Sequence, residues 1–99
     1  MAFSYSDKNF TVVGNLCFVH IILDGTETTF DIPPAISDRM LYDDFTVLYC
    51  KSNTGNVDTA TTYGAGNPFG RADIHSAKIH CQEPENGYLF FYFPIDSNK

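Results

Sequence analysis

Basic residues are few in this sequence, and their scarcity limits the partners that it can have. Six Lys and Arg residues stand against twelve Asp and Glu residues, which gives a formal net charge of -6 at pH 7. A phosphate backbone would be repelled over most of such a surface. We therefore expect no nucleic acid partner.

A long hydrophobic run is also missing. The longest apolar stretch, Leu16 to Leu23, is interrupted by His20 and is far shorter than the roughly 20 residues that a membrane span needs. No charged segment followed by an apolar one stands after Met1, so no secretory signal is predicted. These absences predict a chain that does not insert into a membrane.

Cysteine is scarce, and its spacing is unsuited to metal binding. Cys17, Cys50 and Cys81 lie far apart, and none belongs to a Cys-x-x-Cys pair. Zinc ligation needs ligands that converge on one tetrahedron, and this spacing provides no close pair. We predict buried free thiols, with no metal and no cofactor. The odd count would leave one thiol unpaired in a secreted domain, which favours assembly in a reducing cytosol.

Apolar and aromatic residues, by contrast, are abundant. Of the 99 residues 43% are hydrophobic and 15% aromatic, with 9 Phe, 6 Tyr and no Trp. Disordered chains have far less apolar material, and this length fits one domain over residues 1–99. Short runs of Val, Ile, Phe, Tyr and Thr alternate with clusters of Gly, Asn, Asp and Pro, without apolar positions at helical spacing. The pattern predicts an all-β fold.

The turn residues place the strands. Asp24-Gly25 predicts a hairpin in which Thr28 to Ile32 returns beside Leu16 to Leu23, and Pro33-Pro34 ends the returning strand. The apolar positions of Arg71 to Cys81 change parity, which predicts a bulge near His75-Ser76. Between strands, Ile36 and Met40 allow one helical turn or a loop. The predicted strands are Phe3 to Ser6, Phe10 to Val13, Leu16 to Leu23, Thr28 to Ile32, Phe45 to Lys51, Val57 to Thr62, Arg71 to Cys81 and Tyr88 to Phe93.

Two of these strands, Leu16 to Leu23 and Tyr88 to Phe93, are apolar on both faces. One face can bury against the domain's own core, but a chain of this size has too little material to cover the other. Each large side chain left bare forfeits roughly 1.5 to 3 kcal/mol of burial. We expect the second face to meet another copy in a closed symmetric assembly. The alternative is a two-sheet sandwich whose loops cover that face. For His20 we favour a hydrogen-bonded structural group over a ligand or a base.

Three motifs, in order, resemble a known family. Val13 to Ile21 looks like the Gly-Asn-apolar strand opening found in carboxy-terminal domains of phage tail and baseplate proteins. Thr29 to Pro33 resembles their threonine, aromatic, isoleucine, proline step, which an arginine often follows, and Arg39 is a displaced candidate for it. Tyr92 to Asp96 is similar to the terminal aromatic-Pro-Ile-Asp of receptor-binding head domains in phages of lactic acid bacteria.

The resemblance implies an all-β homotrimeric head domain, built as a small antiparallel β-barrel or a Greek-key sandwich. Such a head binds the saccharide of the host cell envelope without cleaving it, so host cell-wall polysaccharide is the expected partner. It also implies a virion protein of the tail tip or baseplate, assembled in the host cytoplasm and joined to an upstream shoulder or stem. Some of these heads place a tryptophan against the sugar ring, and here Tyr or His would have to serve.

The densest set of side chains suited to a neutral sugar runs from a Gly-rich loop into the next strand. Sugars are bound by groups that donate and accept hydrogen bonds in pairs, beside an aromatic face. Arg71, Asp73 and His75 alternate onto one face of a strand. The alternative is a solvated edge face with a surface ion pair, worth at most about 1 kcal/mol. The predicted site residues are Tyr63, Asn67, Arg71, Asp73 and His75.

A second candidate cluster consists of Arg39, Tyr42 and Asp43, next to Asp38 and Asp44. Its alternative is an exposed acidic turn. Adjacent carboxylates on a strand point to opposite faces, whereas glycoside hydrolysis needs two carboxyls about 5 to 9.5 Å apart around one bond. No motif of a serine hydrolase, a metalloprotease or a phosphate loop is present. We expect no enzyme; the rival hypotheses are a non-binding trimerisation or cap domain and, third, a small glycan hydrolase.

Overall fold

A computed structural model describes residues 3–26, 29–51, 69–81 and 86–99. These ranges form strands of β-branched and aromatic residues with one short helix, so the all-β prediction is confirmed. The predicted strand Val57 to Thr62 lies outside the described residues. The elements are β1 (Phe10–Val13), β2 (Leu16–Asp24), β3 (Thr29–Asp31), α1 (Pro34–Ser37), β4 (Asp44–Lys51), β5 (Phe69–His75), β6 (Lys78–Cys81) and β7 (Asn86–Pro94).

The strands pair in the order β1-β2-β7-β4-β5-β6-β3, and each pairing is antiparallel. Among the described residues, β4 and β7 share two residue pairs, Cys50 with Tyr88 and Lys51 with Gly87. Beyond those pairs the Phe45 ring still lies 6.0 Å from the Phe93 ring. The sheet thus has a group of three strands, β1-β2-β7, and a group of four, β4-β5-β6-β3, which meet mainly through side chains.

One hydrophobic core joins both groups of strands. Strand β2 supplies its odd-numbered residues to this core, and β7 does the same. The core residues of β5 and β6, among them Ile74 and Ile79, lie in the same cluster. Pro34 begins α1, which buries Ile36 completely. Residue 40 then bridges to residue 95, so the chain end closes over one side of the core.

Two predictions of local pairing are wrong. The segment after Asp24-Gly25 does not return beside β2, although β1 covers only the first half of that strand; β3 pairs instead with β6, where Phe30 stands opposite Ile79 and packs against the core. The segment Arg71 to Cys81 is a hairpin of β5 and β6 rather than one bulged strand. Ser76 and Ala77 both have positive φ, 53° and 61°, which is the geometry of a two-residue type I′ turn.

Of the other local predictions, the turn at Asp24-Gly25 and the strand end before Pro33 agree with the structure. Gly25 has a φ of 89°, so the turn at Asp24-Gly25 exists even though no hairpin follows. The strand after it ends at Asp31, before Pro33-Pro34 as predicted. The predicted strand Phe3 to Ser6 is not formed; the segment instead makes an isolated bridge from Ser6 to Thr11, and its Tyr5 carbonyl accepts a hydrogen bond from the Val12 amide at 2.9 Å. Within the described ranges, no helix is long and apolar enough to cross a membrane.

Candidate functional site

Strands β3, β4, β5 and β6 turn polar side chains away from the core. Arg71, Asp73 and His75 alternate along β5 with the buried Ala72 and Ile74. Their predicted placement on one strand face is therefore confirmed. The other two residues of the predicted site, Tyr63 and Asn67, lie outside the described residues.

The strand register extends this face across four strands. Thr46, Asp73, His80 and Thr29 stand opposite one another in one row, and Asp44, His75, Lys78 and Asp31 form the next row. Side chains at such opposed positions lie close enough to interact. We call these two rows, together with Arg71, the polar face.

Asp73 lies at the centre of the contacts on the polar face. Its Oδ1 accepts a hydrogen bond from Thr46 Oγ1 at 2.7 Å, and its Oδ2 lies 3.6 Å from Arg71 Nη2. The Asp73 side chain is 35% exposed and that of Arg71 56% exposed. The carboxylate and the guanidinium are thus held in place by neighbours and still reachable from solvent.

Two more exposed pairs of polar side chains lie in the outer row of the polar face. Lys78 Nζ is 3.1 Å from Asp31 Oδ1, and His75 Nδ1 is 4.0 Å from Asp44 Oδ1. All four side chains are at least half exposed, so each pair contributes at most about 1 kcal/mol to stability. These side chains matter more for the chemistry of the face than for stability. They place hydrogen-bond donors and acceptors, with positive and negative groups among them, at neighbouring positions on the face.

The second predicted cluster is divided by the structure. The Arg39 guanidinium lies 3.9 Å above the Phe3 ring, and its Nη1 donates to the Ala35 carbonyl at 2.6 Å. Arg39 therefore packs the amino-terminal segment against α1. Tyr42 is 64% exposed and lines a cavity of about 240 Å³ with Tyr92 and its neighbours, while Asp43 is exposed.

The outer side of β2 and β7 is mostly apolar, as predicted, and Val13 of β1 extends it. The ring of Phe18 lies 5.6 Å from that of Tyr92 and 6.4 Å from that of Phe90, and Tyr88 stacks on Phe90 at 6.4 Å. Phe90 is 50% exposed and Tyr92 60% exposed, whereas a monomer seldom exposes neighbouring aromatic side chains to this extent. We call this surface the aromatic face; it consists of Val13, Leu16, Phe18, Ile22, Tyr88, Phe90 and Tyr92.

His20 lies on the same side of β2 as the aromatic face, opposite Phe90, and makes a hydrogen bond within the domain. Its Nε2 is 3.2 Å from Thr11 Oγ1, on the neighbouring strand β1. This agrees with the expectation of a hydrogen-bonded structural group. The same side chain also lines a cleft. Its contact with Thr11 uses Nε2, which is one of its two ring nitrogens.

That cleft has a volume of about 520 Å³ and was not predicted from the sequence. Its walls come from residues distant along the chain, which no local pattern connects. Polar groups come from the turn before β1 and from β2, and apolar groups from β2, β3 and β7. The lining residues are Lys8, Asn9, His20, Ile21, Ile22, Asp24, Phe30 and Tyr88.

Asp7 shapes one wall of this cleft. Its Oδ1 accepts hydrogen bonds from the backbone N–H groups of Asn9 at 2.8 Å and Phe10 at 2.7 Å. Burial opposes ionisation of this carboxyl, but the N–H groups of Asn9 and Phe10 outweigh it and hold its pKa below the usual value. The turn that presents Lys8 and Asn9 is therefore fixed by a charged group.

Two of the three cysteines are described in the core. Cys17 and Cys81 are buried free thiols, as predicted for them, and burial raises the pKa of Cys17 to about 12 and that of Cys81 to about 11. In the described part of the chain, no group of three or more His, Cys, Asp or Glu side chains could hold a metal ion.

Comparison with known proteins adds no relative. No family model, no curated protein and no solved structure matches the chain.

Proposed function

We propose that this protein is an adhesion domain that binds a neutral saccharide of a host cell envelope on its polar face without cleaving it. The observation that supports this most directly is the Asp73 carboxylate, which Thr46 and Arg71 hold in place while solvent still reaches it. A ligand that meets such a group finds its partners already oriented, which lowers the entropic cost of binding.

The chemistry of the polar face suits hydroxyl groups. A carboxylate accepts hydrogen bonds, a guanidinium donates them, and an imidazole can do either. A sugar hydroxyl both donates and accepts, so adjacent Asp73 and Arg71 can satisfy both of its roles. Positive and negative groups alternate on this face, which does not favour a strongly charged ligand of either sign.

The aromatic face supports assembly of several copies. Its exposed rings would be covered if each chain placed them against a neighbour, and the core cannot cover them because it occupies the opposite side of the same strands. A homotrimer on a phage tail tip or baseplate, above a shoulder or stem, is the form that the motif resemblance favours. Weak saccharide sites repeated on many copies would give high avidity.

The strand order is consistent with the finer fold that we propose. Strands β4, β5 and β6 follow one another in space, and β3, which precedes them in the chain, lies beside β6. This is the order of a Greek key followed in the reverse chain direction. It favours the Greek-key form of the expected barrel or sandwich.

Alanine substitution on the polar face tests the binding site. We expect Arg71→Ala and Asp73→Ala each to weaken binding to host wall polysaccharide at least about tenfold, since a hydrogen bond to a charged group contributes about 1.5 to 3 kcal/mol. Titration calorimetry of the intact chain would measure this. Asp96→Ala removes an exposed carboxylate outside the polar face and should leave affinity unchanged. Unchanged binding in both β5 variants would contradict the proposed site.

A second candidate function is a trimerisation or cap domain that binds no ligand, which the aromatic face alone would favour. A glycan array probed with the intact chain separates the two functions. Retention of saccharides by the array supports adhesion, and a blank array together with a stable oligomer supports the cap.

A further inference from the structure

From its position and lining, we infer that the cleft between β2 and β3 is a second saccharide site, which takes one or two rings of a neutral sugar. This inference rests on the proposed function, because it assumes that the ligand is a saccharide. It assigns binding to residues outside the polar face and makes the domain bivalent for one polymer. Ile22 and Tyr88 belong to both the cleft and the aromatic face, so the inference requires that copies meet on the remainder of that face, around Phe18 and Tyr92, and leave this end open.

The fold leaves the cleft open at the residues that precede β1. Strand β1 pairs with β2 only as far as Phe10 with Val19, followed by a hydrogen bond from the His20 amide to the Asn9 carbonyl at 2.9 Å. Strand β2 continues to Asp24, and on that side it has no further strand partner among the described residues. Phe30, on the far edge strand β3, faces this notch.

The walls of the cleft are fixed without a ligand. The turn with Lys8 and Asn9 is held by Asp7, and β2 is held on its other side by β7 along its whole length. A cavity of about 520 Å³ lies within the size range of small-molecule sites. A ligand would thus enter a largely preformed cleft, and little binding energy would be spent on ordering it.

The lining matches a neutral polyhydroxyl ligand. The ammonium of Lys8 and the carboxylate of Asp24 are opposite in sign, so the cleft favours neither anions nor cations. Asn9 can donate and accept, and His20 Nδ1 makes no hydrogen bond with the residues that the structure describes, although Nε2 is engaged by Thr11. Tyr88 and Phe30 add aromatic surface for the C–H groups of a sugar ring.

A matched pair of tyrosines isolates the cleft. Tyr88 and Tyr92 lie on the same face of β7, but only Tyr88 lines the cleft. In NMR titrations of the intact isotope-labelled chain with glucose, galactose, rhamnose and N-acetylglucosamine, at least one sugar should shift the amides of Asn9 and of residues 20–24 saturably. Tyr88→Leu should raise that dissociation constant at least threefold, and Tyr92→Leu should leave it unchanged.

Asn9→Ala is a second variant that keeps the turn, because Asp7 binds the backbone of residue 9 rather than its side chain. It should also raise the dissociation constant at least threefold. Unchanged affinity in Asn9→Ala, or shifts confined to residues 71–75, would overturn the cleft assignment while the proposed function stands. If none of the four sugars produces a saturable shift anywhere, both the cleft assignment and the saccharide function are wrong.

Discussion

The buried thiols of Cys17 and Cys81 make the stability of the fold sensitive to alkaline pH. An unfolded chain releases these protons around the ordinary thiol pKa of 9.0, whereas the folded chain retains them until about pH 12 for Cys17 and about pH 11 for Cys81. Unfolding therefore releases protons above pH 9, and stability falls as pH rises. Below about pH 8 both states keep these protons, and the thiols contribute no pH dependence.

We expect each thiol to lower the free energy of unfolding by up to about 1.4 kcal/mol per pH unit in the window from about pH 9 to its folded pKa. Urea unfolding at pH 8, 9, 10 and 10.5 (roughly the accessible range) measures the slope. Cys17→Val keeps an apolar side chain of similar size and removes the titrating group, so its stability should fall less steeply. Parallel curves for the two proteins would show that Cys17 does not titrate differently on unfolding.

Single residues of the candidate site were predictable where alternation along one strand sufficed. Arg71, Asp73 and His75 share a face because side chains alternate with a period of two, and the sequence shows that period directly. The sequence predicts a binding cluster that includes Arg39, but the Arg39 guanidinium stacks on Phe3, a contact between segments that are distant in the sequence. The partner of a long cationic side chain is decided by tertiary packing, which local pattern does not reveal.

At the scale of single elements, the turn between β5 and β6 is the clearest departure from the sequence pattern. Type I′ turns favour Asn-Gly because both central residues need positive φ, yet Ser76 and Ala77 occupy these positions. Ser-Ala gives no turn signal, and a parity change alone is equally consistent with a bulge. The register of Ile74 opposite Ile79 explains why the strained turn is kept: it places both isoleucines in the core.

Ala77→Gly should therefore stabilise the protein by about 1 kcal/mol. Left-handed geometry costs a residue with a Cβ about 1 to 2 kcal/mol, and glycine avoids this cost. Glycine also loses more conformational entropy on folding than alanine, which offsets part of the stabilisation. The midpoint of thermal unfolding, measured by circular dichroism at fixed chain concentration, should rise by about 4 to 8 °C. Ala35→Gly, in the right-handed helix α1, should lower it instead. A lower midpoint for Ala77→Gly would contradict the turn geometry.

Strand partners were harder to predict than strands. Consecutive strands are neighbours only about two-thirds of the time, and β3 belongs to the remainder. Its pairing with β6 depends on which side of β6 remains open after β5 has paired with it. The cleft has the same origin, because β1 pairs with only the first half of β2 while β3 lies at the opposite edge of the sheet. Features formed by the two ends of a sheet have no local sequence signature.

At the scale of the whole molecule, the two outer surfaces of the sheet differ in chemistry. The outer side of β2 and β7 is aromatic, and that of β5 and β6 is charged. This division was predictable in part, because Leu16 to Leu23 and Tyr88 to Phe93 are apolar at every parity. Charged residues of β3 and β4 extend the polar face beyond β5. This extension was not predictable, because predicting it requires knowledge of which strands are neighbours in the sheet.

The aromatic face is expected to hold copies of the chain together. Phe90 lies near its centre, between the rings of Phe18 and Tyr88, and a carboxylate there would have to be buried unpaired in any interface. Phe90→Glu should therefore dissociate the oligomer into chains of 11.1 kDa. Sedimentation velocity or light scattering over a range of concentrations measures the mass, and far-ultraviolet circular dichroism checks that the strands persist.

Leu48→Glu is the matched control for this experiment. Leu48 is 59% exposed, close to the 50% of Phe90, but it lies opposite Arg71 on the side of the polar face. The same change in charge and polarity at Leu48 should leave the oligomer intact if assembly uses the aromatic face alone. Dissociation by Leu48→Glu but not by Phe90→Glu would place the interface on the other surface. An unaltered protein that sediments as one chain at high concentration would refute self-association, because rings exposed in a stable monomer need no partner.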